Sequence, residues 1–310
     1  MASPSLLKTE SSSTDALASE DAAAPVKLEN PQMVLNELNT ALLGLSSPEA
    51  DWKEVDKCIL WLRCLALFDA ELLTQQPPQG LFHFLISHAN SLRSAVTKGA
   101  LNTFEEMFTL RPKLVQGLLE KDKEVEVDIL KIIGLLTLKS VNEKRFIADG
   151  AKKALDALCR MPKAGDLSNT LIVSLLNVAR TSKNPKMTSI ASSAALLCLE
   201  SMSADDRREF LTTEDIIVAV AELESGKSTE ARPVAQAILR NLSTAQGINR
   251  ITQALDALSL GDVKQKRIEE IIKSLDGKLE KKNVAKLEKP WLTATRTKKL
   301  EEPSLPDATS

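Results

Sequence analysis

The chain has 310 residues and a formal net charge of −2, from 40 Lys and Arg against 42 Asp and Glu. No global basic field is therefore available to hold nucleic acid non-specifically. Hydrophobic residues make up 43% while aromatics are 3% and Tyr is absent, so a core must be filled by Leu, Ile, Val and Ala, the composition of an all-α protein.

Residues 1–29 are rich in Ser, Ala and acidic side chains, too poor in apolar surface to offset chain entropy, and read as a disordered arm. No basic segment followed by an apolar core marks a secretory signal, and no apolar run approaches the ~20 residues that span a bilayer. A soluble cytoplasmic protein without a membrane span is expected. From Pro31 the apolar positions Val34, Leu35, Leu38, Ala41, Leu42 and Leu45 follow helical spacing, and Ser47 with Pro48 offers a cap and a first residue for the next helix. That helix is predicted over 50–73 on Val55, Ile59, Leu62, Leu65, Ala66 and Leu72, with Trp52 at its start.

The Gln/Pro/Gly stretch 75–80 is a break, followed by helices over 81–89 and 92–110. Arg111-Pro112 opens a third unit, whose first arm runs on Leu114, Leu118, Val125, Ile129, Ile132, Ile133, Leu136 and Leu138. Charged residues at 120–126 interrupt that arm, so it can be two helices. Its second arm ends near Met161. Further pairs are predicted over 167–181 and 187–202, over 205–224 and 229–243, and over 246–258 and 262–280. Residues 281–310 form a polar basic tail in which Trp291 stands among Lys289, Arg296, Lys298 and Lys299.

One pattern recurs along this series: a polar turn with a basic residue, then an amphipathic helix built on small residues. If Ala100, Ala151, Ala194 and Ala235 are equivalent, the steps between them are 51, 43 and 41 residues, close to the roughly 40–47-residue period of helical-pair repeats. The fold expected is an α-solenoid of about six HEAT-like helical pairs over residues 30–280.

Catalytic chemistry is not expected. Cys58, Cys64, Cys159 and Cys198 stand singly on apolar faces and read as buried free thiols. His83 and His88, five apart, fall on different faces of a helix and do not match helical zinc-ligand spacing. No phosphate loop or nucleophile elbow occurs. Carboxylate pairs such as Glu105-Glu106 read as solvated helix faces. No enzyme activity, cofactor, metal or small-molecule substrate is expected.

In a regular stack the turns within the pairs line up along one edge. Each of these carries Lys or Arg: Lys53; Arg93; Lys144 and Arg145; Lys183 and Lys186; Lys227 and Arg232. Trp52 adds a large aromatic. An ordered file of cations beside an aromatic suits an acidic protein partner.

These residues resemble the TOG domains of CLASP-type microtubule regulators and their ciliary relatives. The resemblance covers residues 35–275. It is carried by Asp51-Trp52-Lys53-Glu54-Val55, by Ser91-Leu92-Arg93-Ser94-Ala95-Val96 with Lys98 and Ala100, by Lys144-Arg145-Phe146-Ile147 with Gly150-Ala151 and Ala154-Leu155, and by Glu230-Ala231-Arg232. It implies a paddle of six HEAT repeats whose intra-repeat turns bind αβ-tubulin or microtubules, with location on the microtubule cytoskeleton, in spindle, cilium or axoneme. Carried onto this chain, the tubulin-binding set is Trp52, Lys53, Arg93, Ser94, Lys144, Arg145, Lys183, Asn184, Lys186, Lys227 and Arg232.

Alternatives stay open at two of these positions. Arg232 can instead form a structural hydrogen bond to a neighbouring turn, and Trp52 can pack against the arm or the first helix. Two other function classes remain as well. One is an armadillo- or HEAT-like adaptor holding a peptide on its concave helix face. The other is a binder of nucleic acid or acidic membrane through the tail, where residues 278–299 hold eight Lys or Arg against two Glu; the near-neutral whole chain argues against that as the main activity.

Overall fold

In the computed structural model, which describes residues 24–276 apart from 48, 122, 162–165, 210–213, 227 and 257–261, fifteen helices follow one another and no strand occurs among the described residues. Five long pairs are formed: α1 (Pro31–Leu45) with α2 (Trp52–Phe68), α4 (Leu81–Ala89) with α5 (Ser94–Leu110), α7 (Lys123–Lys139) with α8 (Arg145–Arg160), α9 (Asp166–Thr181) with α10 (Pro185–Ser201), and α12 (Glu214–Ser225) with α13 (Ala231–Gln246). Short helices precede three of these pairs: α3 (Ala70–Gln75), α6 (Pro112–Lys121) and α11 (Ala204–Glu209). The chain then adds α14 (Ile248–Asp256) and α15 (Asp262–Asp276).

The long helices make two layers. In one, α1, α4, α7, α9, α12 and α15 each pack on the next; in the other, α2, α5, α8, α10 and α13 do the same. This is a helical-repeat solenoid, and its period is written into the hydrogen bonds that tie neighbouring repeats. Arg63 to Glu106, His88 to Leu45, Ser201 to Cys159 and Arg267 to Glu224 bridge residues 43, 43, 42 and 43 apart, so equivalent residues of adjacent repeats meet side by side.

A single hydrophobic cluster runs from Leu35 to Ile272. Ala100, Ala151, Ala194 and Ala235 are all buried in the second-helix layer, where their small side chains let backbones approach. A Cβ on Gly99 would lie 3.2 Å from Ile59 Cγ2, and one on Gly150 would lie 3.7 Å from Leu101. Among the described residues, the buried phenylalanines Phe82, Phe84, Phe104 and Phe108 all lie in the second repeat, where Phe104 and Phe108 stack with centroids 5.9 Å apart. All four cysteines are buried, and burial pushes the Cys58 thiol up to about 11.

The helix predicted over 50–73 is instead two, broken at Asp69 (φ −132°, ψ 41°). The reason lies one repeat away. Arg111 donates to the carbonyl oxygens of Ala66 (3.0 Å) and Leu67, the acceptors that a continuing helix would have used for its own N–H groups. The interruption expected at 120–126 turns on residue 122, which lies outside the described residues; the chain is helical up to Lys121 and again from Lys123. At Gly80, φ of +73° places the residue before α4 in the left-handed region, and a Cβ there would also sit 3.0 Å from Leu43 Cδ2.

Candidate functional site: the turn edge

Each turn leading into a second-layer helix is tied by a short polar side chain. Asp51 Oδ1 accepts from Lys53 N (3.1 Å), Ser91 Oγ from Arg93 N (3.1 Å), Asn142 Oδ1 from Lys144 N (2.9 Å), and Asn184 Oδ1 from Lys186 N (3.0 Å). In the fifth turn Ser228 Oγ accepts from Ala231 N (3.3 Å). At α2, α10 and α13 these bonds satisfy N–H groups that an α-helix leaves open at its start, while at α5 and α8 they hold the N-cap residues Arg93 and Lys144 just before the helix. They also fix the direction of the side chains that follow.

The first three turns touch one another. Trp52 is half-buried, packed against the core at the start of α2. Its ring has the Arg93 guanidinium 5.1 Å and the Lys53 ammonium 5.9 Å from its centre. One repeat further, Lys144 Nζ donates to Ser94 Oγ (2.7 Å). Arg145 is exposed and pairs loosely with Asp149 at 3.5 Å within α8. Behind this surface the joint between repeats is clamped by Ser87 donating to Ser46 O and His88 Nε2 meeting Leu45 O, both at 2.7 Å.

In the fourth turn Lys183, Asn184 and Lys186 are all exposed at the start of α10, which packs beside α8. In the fifth, Arg232 is exposed but its Nε and Nη2 both donate to Gly226 O (3.2 and 2.9 Å). Its guanidinium is thus engaged in a structural bond, within its own turn rather than to a neighbouring one. Lys227 and the tail residues Lys289, Trp291, Arg296, Lys298 and Lys299 lie outside the described residues, as do residues 1–23.

The charge of this edge has a direction. Around the first turn Glu49, Asp51 and Glu54 outnumber Lys53. From the second to the fourth turn, Arg93, Lys144, Arg145, Lys183 and Lys186 share their turns with one carboxylate, Glu143, and Arg145 also pairs with Asp149 one helical turn on. Helices α5, α8, α10 and α13 carry no acidic residue in their first turn, although carboxylates there would favour the helix by about 0.3–1 kcal/mol each. Arg145, Lys186 and Arg232 occupy those turns instead. Cations at the positive ends of helices weaken the helices and strengthen the attraction for an acidic partner.

Two residues that the charge pattern passes over complete the surface. Leu92 is 99% exposed and Phe146 is 47% exposed, both in the row between Trp52 and Lys186. The sequence signal for Leu92 was its place inside a polar turn, ahead of the first apolar position of α5.

Other chemistry is sparse. Among the described residues no group of three or more potential metal ligands occurs, and no helix is long and apolar enough to cross a membrane. His88 is buried against Phe84, with ring centroids 4.6 Å apart, and burial lowers its pKa from 6.5. His83 is exposed. Glu106 serves Arg63 in a two-pronged ion pair (2.9 and 2.7 Å). Glu105, next to it, is held above the usual carboxylate range by burial, with Lys153 opposing and Glu106 adding to the shift.

Comparison with solved structures finds helical-repeat designs. An engineered protein matches at 17% identity over 77% of this chain and 98% of its own, with a TM-score of 0.36. A designed armadillo repeat protein in complex with the peptide (KR)4 matches at 13% identity over 80% of this chain and 99% of its own, with a TM-score of 0.39. The chain matches no protein-family model and no curated protein.

Proposed function

We propose that this helical-repeat solenoid is a non-enzymatic interaction protein that binds αβ-tubulin or microtubules through its edge of turns. The observation that carries the reading is the run of exposed cations at the unscreened N-termini of α5, α8 and α10, joined to Trp52 through Arg93. Such an arrangement costs helix stability and gains only when an anionic surface is present. Residues 30–280 form the binding unit in this proposal, Trp52, Arg93, Lys144 and Lys186 being its main contacts. Arg232 and Lys227 extend the row. The basic tail 281–310 supplies a second attachment to the polymer through Lys289, Trp291, Arg296, Lys298 and Lys299. The protein would then reside on the microtubule cytoskeleton and regulate its dynamics or stability.

The test is binding of the wild-type and Trp52→Ala chains to free tubulin and to stabilised microtubules at two salt concentrations. Weakening of at least about tenfold, equal to ~1.4 kcal/mol, supports the reading. Equal binding by the two chains removes Trp52 from the interaction, and equal binding by a chain that also carries Arg93→Glu, Lys144→Glu and Lys186→Glu removes the turn edge and favours a partner held on the concave helix face.

A further inference from the structure

Leu92 is the most exposed large apolar side chain among the described residues, at 99%. A singly exposed leucine is ordinary on a protein surface; Leu92 differs in its setting, a fixed turn among cations and other aromatic or apolar groups. Its turn is pinned on both sides: Arg93 N donates to Ser91 Oγ (3.1 Å), Ser91 N donates to His88 O (3.0 Å), and the buried Thr97 hydroxyl donates to Ser91 O (2.9 Å). The side chain therefore projects from a fixed crest. On one side lies the Trp52 ring with Arg93 stacked over it at 5.1 Å; on the other lies Lys144, held to Ser94 at 2.7 Å, followed by the half-exposed Phe146.

A crest of this kind has no walls. It cannot enclose an extended acidic peptide, because a peptide gains apolar burial by lying in a groove, and here the apolar group is the protrusion. A polyanion such as nucleic acid or heparin would satisfy Arg93, Lys144 and Lys186 while leaving Leu92 in water. Only a partner with a preformed apolar depression can remove Leu92 from solvent, and the cations around it require carboxylates at the rim of that depression. We infer that the turn edge recognises a folded acidic protein whose carboxylate-ringed apolar pocket receives Leu92, with Phe146 as a second, flanking contact. Leu92 is the specificity-determining residue of the edge, and the cations govern approach and register. This inference rests on the reading of the edge as a binding surface and adds what kind of surface it meets.

The experiment uses the full chain as wild type, Leu92→Ser, Leu92→Met and the charge-reversed Lys144→Glu/Lys186→Glu. Four probes of different form are offered: the folded tubulin heterodimer, the same heterodimer unfolded in denaturant and immobilised, a glutamate-rich peptide, and heparin. The expected result is a loss of at least about tenfold in affinity for folded tubulin with Leu92→Ser, near-wild-type affinity with Leu92→Met, and weak binding of the other three probes that Leu92→Ser leaves unchanged. Coincident thermal melts of wild type and Leu92→Ser establish that the loss is local. If Leu92→Ser binds folded tubulin as tightly as wild type while the charge-reversed chain does not, the pocket inference is overturned and the edge remains a charge-driven surface. A glutamate-rich peptide or heparin that binds as tightly as folded tubulin also overturns it. If neither set of variants alters binding, or wild type does not bind, the reading of the edge falls and the inference with it.

Discussion

The Arg93 guanidinium lies 5.1 Å from the centre of the Trp52 ring, so the second turn of the solenoid is stacked on the first. The two residues are 41 positions apart in sequence, close to one repeat length, and both stand at the start of a second-layer helix. Trp52 is thereby partly covered from within the chain. Its remaining ring surface is presented together with a cation, as a composite patch. Such a pair is worth about 0.5–1 kcal/mol when partly exposed. A double-mutant cycle on Trp52→Ala and Arg93→Ala, read by thermal unfolding, is expected to return coupling of that size; strict additivity would show the stack to be absent in solution.

Lys186 gives a prediction with opposite signs for stability and binding. It is exposed in the first turn of α10, where the helix dipole is unfavourable to cations. Lys186→Glu should raise stability by a few tenths of a kcal/mol while weakening attachment to tubulin and slowing association. Combined with Arg93→Glu and Lys144→Glu it should also flatten the salt dependence of the association rate, because steering acts over a Debye length of about 8–10 Å. Chemical denaturation and stopped-flow association measure the two effects separately.

Arg63 and Glu106 test the stack rather than the edge. The Arg63 side chain is 9% exposed, and its ion pair with Glu106 joins α2 to α5. Glu106→Ala strands a buried guanidinium and should cost on the order of 3 kcal/mol. Replacement of both by Met and Leu should recover most of that loss, since two apolar side chains leave no uncompensated charge. A double variant as unstable as the single one would show that the pair contributes more than mutual neutralisation.

His88 makes the first joint sensitive to acid. Burial lowers its pKa below 6.5 while it bonds Leu45 O, so the folded state favours the neutral ring and the unfolded chain binds the proton more readily. The stability this provides is fully present above about pH 6.5 and is lost as pH falls from there toward the lowered value. Amide exchange in α1 and α4 should accelerate over that window in wild type, and His88→Gln should abolish the dependence. A flat profile in wild type would contradict the assignment.

Deletion after Gly277 is expected to leave folding and free-tubulin binding nearly intact and to weaken attachment to microtubules, more at low salt than at high. Co-sedimentation of truncated and full-length chains measures it. Equal affinity at low salt would remove the tail from the interaction.

Helical periodicity and the recurrence of Ala100, Ala151, Ala194 and Ala235 were enough to read the solenoid, because these positions answer to local spacing and all four are buried. The break at Asp69 was not legible, since it depends on Arg111 arriving from the next repeat. At the site, Arg93 and Lys144 were legible as turn cations. Their partners Trp52 and Ser94 were named with them, but the contacts join turns 41 and 50 residues apart that no local pattern connects. Leu92 was visible only as a letter in a turn motif; exposure is a property of the assembled edge.

The cross-links 42 or 43 residues apart between neighbouring repeats have a mechanical consequence. Among the described residues the main helix contacts are within a repeat or with the next one along, so load applied at the two ends of the stack passes through these joints in series. Such a chain stretches as a spring does, and under rising tension it should yield first at its weakest joint and then at each next one, giving a sawtooth of small steps in place of one rupture. A protein of this build attached at both ends to a growing or shrinking filament would lengthen under strain before it lets go.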